Sequence, residues 1–308
     1  MTALASPGPE TPRPETTAPR DAGTVPRGRR GRRGRPRLAS TIVHRAIVAL
    51  LILYLTVPFG WLVVYSIYPS SNLRSTRMDF SLGDITLGEY ASLLSDSSFV
   101  VPIRNSLFVA TATTIICMIL GSLCAYVFAR FRFRGQQTLL LSMMAVQAIP
   151  AVVLAVPLFV LLRAFGLYDS LLGMILTYTA FILPLVIWMM VSFFESIPVN
   201  LEKAARVDGC TRLGIVRRVV LPLSGPGFAA TSIFAFITAW SDFFLAKVLT
   251  SNTTPLLSVR TASFQGLFAM DYTAAATAGV ITALPVLVLA LLAQKWIVQG
   301  ITEGAVKG

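Results

Sequence analysis

The sequence predicts an all-α membrane protein with six transmembrane helices and both termini in the cytoplasm. Three observations carry that prediction. Of 308 residues, 55% are hydrophobic and only 13% are charged, where a soluble domain carries roughly 25% charged residues. Charge-free apolar windows recur along the chain, each longer than the ~20 residues that cross ~30 Å of hydrocarbon as a helix. The Lys and Arg residues between these windows are shared out very unevenly.

The chain divides into a tail, residues 1–45, and a six-helix transmembrane domain, residues 46–308. The tail is rich in Pro, Arg, Thr and Gly with few large apolar side chains, so it buries too little surface to offset its ordering entropy and is expected to be disordered. Its Arg27–Arg37 cluster invites an RNA-binding, a twin-arginine or an anionic-lipid reading. A full-length apolar run follows with no small-residue cleavage site, which weakens the twin-arginine reading. A solvated tail held inside by its charge is the simpler account. The net charge of +12 is concentrated there, so no nucleic-acid partner is expected, whereas contact with membrane lipid is.

The windows follow in order. Ala46–Tyr68, Asn105–Ala129, Gly135–Leu162 and Ser170–Phe194 are each bracketed by charged or polar residues, as is Tyr272–Gln294. Pro226–Leu249 is apolar apart from Asp242 and Lys247. Pro58, Pro150, Pro157, Pro184 and Pro285 lie inside spans, where each frees a backbone carbonyl and marks a kink or a cavity-lining helix. With the N-terminus inside, the inner face collects twenty Lys and Arg: ten in the tail, Arg130, Arg132 and Arg134, five in the long polar stretch, and Lys295 and Lys307. Six lie outside or near the outer ends: Arg74, Arg77, Arg104, Arg163, Lys247 and Arg260. The asymmetry orients the protein, and places the segments Pro69–Arg104 and Thr250–Asp271 outside.

The longest polar break after residue 45, Pro198–Leu223, has an internal design. Asn200 is positioned to cap a short helix, and Glu202 in its first turn suits the helix dipole. Leu201, Ala204, Ala205 and Asp208 share a face by spacing. Gly209 is a natural C-terminal stop and Thr211 can cap a second helix. That helix carries Leu213, Val216 and Val220 on one side and ends at Leu221-Pro222. The break and its flanks, residues 196–225, therefore form a structured loop facing the cytoplasm.

Catalytic readings fail. None of the four lysines follows a glycine, which rules out a P-loop, and one histidine, His44, cannot make a His-Glu-x-x-His zinc site. A Gly-x-Ser-x-Gly elbow is absent too. Cys117, Cys124 and Cys210 have no metal-ligand spacing and read as small packing residues. No bound metal or cofactor is expected, and no catalytic residue. Asp242, inside an apolar run, is either a structural hydrogen-bonding group in the bundle or a polar wall of a permeation path. Lys247, about 140° further round a helix, is a poor partner for it. Gln147, Tyr178, Thr179 and Ser241 are the other candidate path groups, with helix-packing hydrogen bonds as the alternative for each.

At this point the polar stretch resembles the "EAA" signature of the integral membrane subunits of ATP-binding-cassette (ABC) importers. That signature runs Glu-Ala-Ala, three residues, Gly, nine residues, Ile-x-Leu-Pro. Here it reads Lys203-Ala204-Ala205, Arg206 to Asp208, Gly209, nine residues, and Val219-Val220-Leu221-Pro222. Lys203 stands where the signature has glutamate, with Glu202 one place earlier, and Val219 replaces isoleucine. Ala125-Tyr126 with Arg130–Gly135, Glu195–Pro198, Ala239–Phe243 and the ending Gly300–Gly308 are similar to the smaller permease of maltose-type carbohydrate importers. The resemblance covers about residues 46–308.

It implies the type I ABC importer permease fold and a complex with a second permease, two cytoplasmic ATPase subunits and an external solute-binding protein. ATP and Mg would be held by the ATPase subunits. The resemblance makes Leu201–Gly209 a coupling helix, with Glu202, Lys203, Ala204, Ala205, Asp208, Gly209, Leu221 and Pro222 as ATPase-coupling residues. It brings Val306, Lys307 and Gly308 to the ATPase, and Thr250–Asp271 to the binding protein. Glu202 then either pairs with an ATPase arginine or pairs locally with Arg206 at i+4.

Overall fold

A computed structural model describes residues 38–69, 82–264 and 271–305. The tail before Leu38 and the C-terminal Val306, Lys307 and Gly308 lie outside the described residues. Two compact units divide at Leu53, within the first helix. The described part of the first unit is helical and its side chains from Ile42 onward are exposed. In the second unit the elements among the described residues are all helices, with no strand.

In chain order the helices are α1 (Leu38–Ile67), α2 (Gly88–Ser95), α3 (Ser97–Arg130), α4 (Gln136–Gln147), α5 (Ala151–Ala164), α6 (Leu171–Ser196) and α7 (Val199–Val207). After α8 (Arg212–Ile215) come a π turn (Val216–Val220), α9 (Leu221–Leu223), α10 (Gly225–Ser241), α11 (Phe244–Leu249), α12 (Leu257–Ser263) and α13 (Tyr272–Ala305). Among the described residues, parts of α1, α3, α6 and α13 are long and apolar enough to cross a membrane. The number rises to six if the bent pairs α4–α5 and α9–α10, the latter with its π turn, each count as one span.

Two expected spans are therefore broken. The window Gly135–Leu162 turns by 91° between α4 and α5, because Ala148–Pro150 leaves the helix and Pro150 has no N–H for the next turn. The window Pro226–Leu249 stops at Ser241 and resumes at Phe244. Asp242 thus sits in a break between two helices, its backbone extended (φ −66°, ψ 124°), rather than inside one. α1 begins at Leu38, within the stretch expected to be tail.

α3 and α6 make the most extensive helix pair. Ala110, Cys117, Gly121 and Ala125 recur along one face of α3 and are all buried. On α6, which packs against α3, Ile182, Val186 and Met190 are equally buried. Between helices in lipid there is little hydrophobic drive, so close contact of small residues supplies the dispersion that holds the pair. A Cβ on Gly121 would stand 2.6 Å from Val186 Cγ1, so the pair is set at its closest approach there. α10 packs against α3, α6 and α13, and α5 packs against α11. At the far end from α7, the Asp169 carboxylate accepts hydrogen bonds from the backbone N–H groups of Ser251, Thr253 and Thr254 and from the Thr254 hydroxyl, at 2.8–3.2 Å. This fastens the α5–α6 turn to the loop before α12.

Candidate functional site

α7 begins directly after α6, across Ile197 and Pro198. Pro198 occupies the N-cap with φ −59° and makes no side-chain cap; Asn200 lies inside the first turn and is exposed, so it does not cap as expected. Glu202 and Ala205 are the buried residues of α7. The face is thus not the one the spacing suggested: Leu201, Ala204 and Asp208 are exposed, because a buried ionic contact outranks the apolar pattern.

That contact is an ion pair with Arg130, the last residue of α3. Arg130 Nε donates to Glu202 Oε1 at 2.5 Å, and Tyr126 donates its hydroxyl to Glu202 Oε2 at 2.9 Å. Arg130 also donates to the Ile197 carbonyl at 3.1 Å. Both charged side chains are 7% exposed, and no other ion pair occurs among the described residues. The local Glu202–Arg206 pair is therefore not formed. Sequence reasoning missed Tyr126 and Arg130 as partners, although four residues apart they share a face of α3 and Arg130 closes a charge-free window.

α7 ends on Gly209 at φ +82°, where its N–H reaches the Arg206 carbonyl at 3.1 Å. Only glycine adopts this left-handed geometry without cost. Thr211 then caps α8, its hydroxyl accepting from Gly214 N at 3.2 Å. The expected second helix converts to a π turn at Val216–Val220, ending with Leu221 N donating to the Val216 carbonyl. The i→i+5 repeat of that turn brings Ile215 and Val220, both almost fully buried, onto one face in place of Val216, which is only partly buried. The helix does not stop at Leu221-Pro222. It runs to Leu223 and bends by 70° into α10.

Among α4, α6 and α10 lies a cavity of about 190 Å³, lined among others by Gln147, Tyr178, Phe181, Phe234, Thr238 and Asp242, of which Gln147, Phe234 and Thr238 are exposed. The bend between α4 and α5, at Gln147 and Ala151, and the break at Asp242 both border it. Tyr178 donates to Asp242 Oδ2 at 3.0 Å, and the same oxygen accepts from Ala246 N at 3.1 Å, capping α11. Gln147 donates from Nε2 to the Phe181 carbonyl. Asp242 thus braces the helix break, as the structural alternative expected, and also lines the cavity. Lys247 lies on α11, beyond the break and exposed.

Of the five path candidates, Gln147, Tyr178 and Asp242 come together. Thr179 and Ser241 do not line this cavity. Ser241 donates to the Ile237 carbonyl in its own helix, and the Thr179 hydroxyl is buried without a hydrogen-bond partner. Phe181, Phe234 and Thr238 were not singled out from the sequence, since apolar or weakly polar residues on a span carry no signal of facing a void.

Residues 117–303 match the family model described as "Binding-protein-dependent transport system inner membrane component". The chain is 35% identical over 262 residues to a trehalose transport system permease protein of Mycobacterium tuberculosis, covering 84% of this chain and 95% of that one. It is 36% identical to a sulfoquinovosyl glycerol transport system permease protein of Agrobacterium fabrum, over 82% and 88% of the two chains. It is 30% identical to a trehalose/maltose transport system permease protein of Thermococcus litoralis, over 87% and 96%. In fold it is similar to a chain of a bacterial ABC transporter involved in the import of the acidic polysaccharide alginate, with a TM-score of 0.70 at 24% identity, covering 83% of this chain and 95% of that one.

Proposed function

Because the chain belongs to the binding-protein-dependent transport system inner membrane components, we propose that it is a permease subunit of an ATP-driven sugar importer. The cargo reading is supported by relatives named for trehalose, sulfoquinovosyl glycerol and trehalose/maltose transport. The working complex is this chain, a second permease, two ATPase subunits that hold ATP and Mg, and an extracytoplasmic solute-binding protein. The chain sits in the cell membrane as six spans, counting each bent pair as one, with both termini inside. Residues 1–45 form its cytoplasmic tail, 46–308 its permease domain and 196–225 its coupling loop.

One observation supports the mechanism above all. The two helices joined through the α7 segment are the two that supply most of the cavity wall. α6 contributes Tyr178, Phe181, Ile182 and Leu185, while α10 contributes Phe234 and Thr238 and ends at Asp242. A displacement of α7 by ATPase closure is thereby applied to both walls, a rigid-body transition with no chemical step on this chain. The buried Glu202–Arg130 pair extends the moving body to the end of α3. Gly209 is the joint between α7 and the π turn. In this scheme Lys203, Ala204, Asp208 and Gly209 belong to the docking helix, and Leu221 and Pro222 to the bend that passes motion to α10. Gln147, Tyr178 and Asp242 are this chain's share of the solute path. Val306, Lys307 and Gly308 are assigned to an ATPase contact on the resemblance alone.

The test is uptake by proteoliposomes holding the whole complex with its binding protein, supplied with labelled disaccharides including trehalose and maltose. The proposal expects uptake of a sugar that stops without internal ATP. Uptake that persists without ATP and follows a proton or sodium gradient would mean a secondary transporter instead.

A further inference from the structure

Resting on the reading of α7 as the ATPase-docking helix, we infer that it docks through Lys203, Ala204 and Val207, into a small apolar cleft edged by carboxylates. Glu202 is not the docking charge. Both of its oxygens are engaged inside the chain by Arg130 and Tyr126, and the residue is 5% exposed. With successive residues about 100° apart, the helix face opposite Glu202 and Ala205 carries Lys203, Ala204 and Val207. Val207 is 88% exposed, more than any other large apolar side chain among the described residues.

The charge around this face is positive. Lys203 and Arg206 are exposed, and neither makes an ion pair among the described residues. Arg217 and Arg218 are exposed on the adjoining π turn, which packs against α7. Asp208, the C-cap of α7, is exposed and lies about 40° round the axis from Ala204, so it borders the same face, where Lys203, Arg206, Arg217 and Arg218 outnumber it. An apolar anchor beside a small residue, rimmed by unpaired cations, fits a cleft whose floor is apolar and whose edge is acidic.

The experiment places the full chain in nanodiscs and measures binding of its soluble ATPase subunit at increasing salt. Wild-type affinity should fall as salt rises, since rim charges are screened. Lys203→Glu should weaken low-salt binding about tenfold or more, by setting like charges together. Lys203→Gln, which leaves the Glu202 latch untouched, should flatten the salt dependence, and Val207→Asp should weaken binding at every salt concentration. Wild-type binding indifferent to salt, or Lys203→Glu binding as wild type does, would overturn the inference. No binding by wild type at any salt would instead overturn the importer reading, and this inference with it.

Discussion

Glu202 and Arg130 are expensive to bury and are held by two further hydrogen bonds, so their contribution is positional more than energetic. Removing one partner strands the other charge. Glu202→Ala should lower stability by about 3–5 kcal/mol, while the paired change Glu202→Leu with Arg130→Met should recover most of that loss. Thermal unfolding of the purified variants reads both. Asp169 makes the corresponding fastening at the other end of the bundle. Burial opposes its ionisation, but hydrogen bonds from Ser251, Thr254 and Thr253 outweigh burial and hold its carboxyl below the usual range. A depressed carboxylate stabilises above its unfolded pKa of about 3.9 and loses that contribution as pH falls through the folded value. Protection of the Ser251, Thr253 and Thr254 amides against exchange, taken relative to the intrinsic rate at each pH, should therefore be high at neutral pH and fall in acid. In Asp169→Asn it should be low at both.

Among the elements, two features written in local chemistry were legible in the sequence, although the Asn200 cap and the stop at Leu221-Pro222 were not realised. Gly209 as a stop and Thr211 as a cap follow from backbone conformation and one hydroxyl, and both are present. The breaks were less legible. A run of apolar residues has the same hydropathy whether its helix is continuous or turned by 91°, so Pro150 marked a kink without giving its size. The break at Asp242 depends on a hydroxyl from Tyr178, 64 positions away in the chain, and no window reaches that far. The inward turn of Glu202 was hidden for the same reason, its partner lying 72 positions earlier. The α3–α6 contact makes its own prediction. Gly121→Leu inserts atoms where even a Cβ meets Val186, and should cost about 1–3 kcal/mol by overpacking, seen as a lower unfolding temperature.

For the whole molecule, family and architecture were legible because spacing from Lys203 to Pro222 survives the loss of the signature glutamate. The cargo was not, since the cavity residues present aromatic faces and single polar groups in place of a hydroxyl-reading pattern. The tail has no part in docking or in the solute path in this account, and without residues 1–35 twelve inner Lys and Arg still face six outer ones, so that deletion should leave uptake largely intact at equal membrane abundance. The central claim is that α7 carries ATPase closure to α6 across Ile197-Pro198 and to α10 across the Gly209 joint. Gly209→Pro attacks that joint alone: proline fixes φ near −65°, against +82° here, and removes the N–H that reaches Arg206. The decisive measurement is ATP hydrolysis and sugar uptake recorded together in proteoliposomes of the Gly209→Pro complex. The account predicts an assembled complex that still hydrolyses ATP while uptake collapses; uptake at the wild-type rate would contradict it.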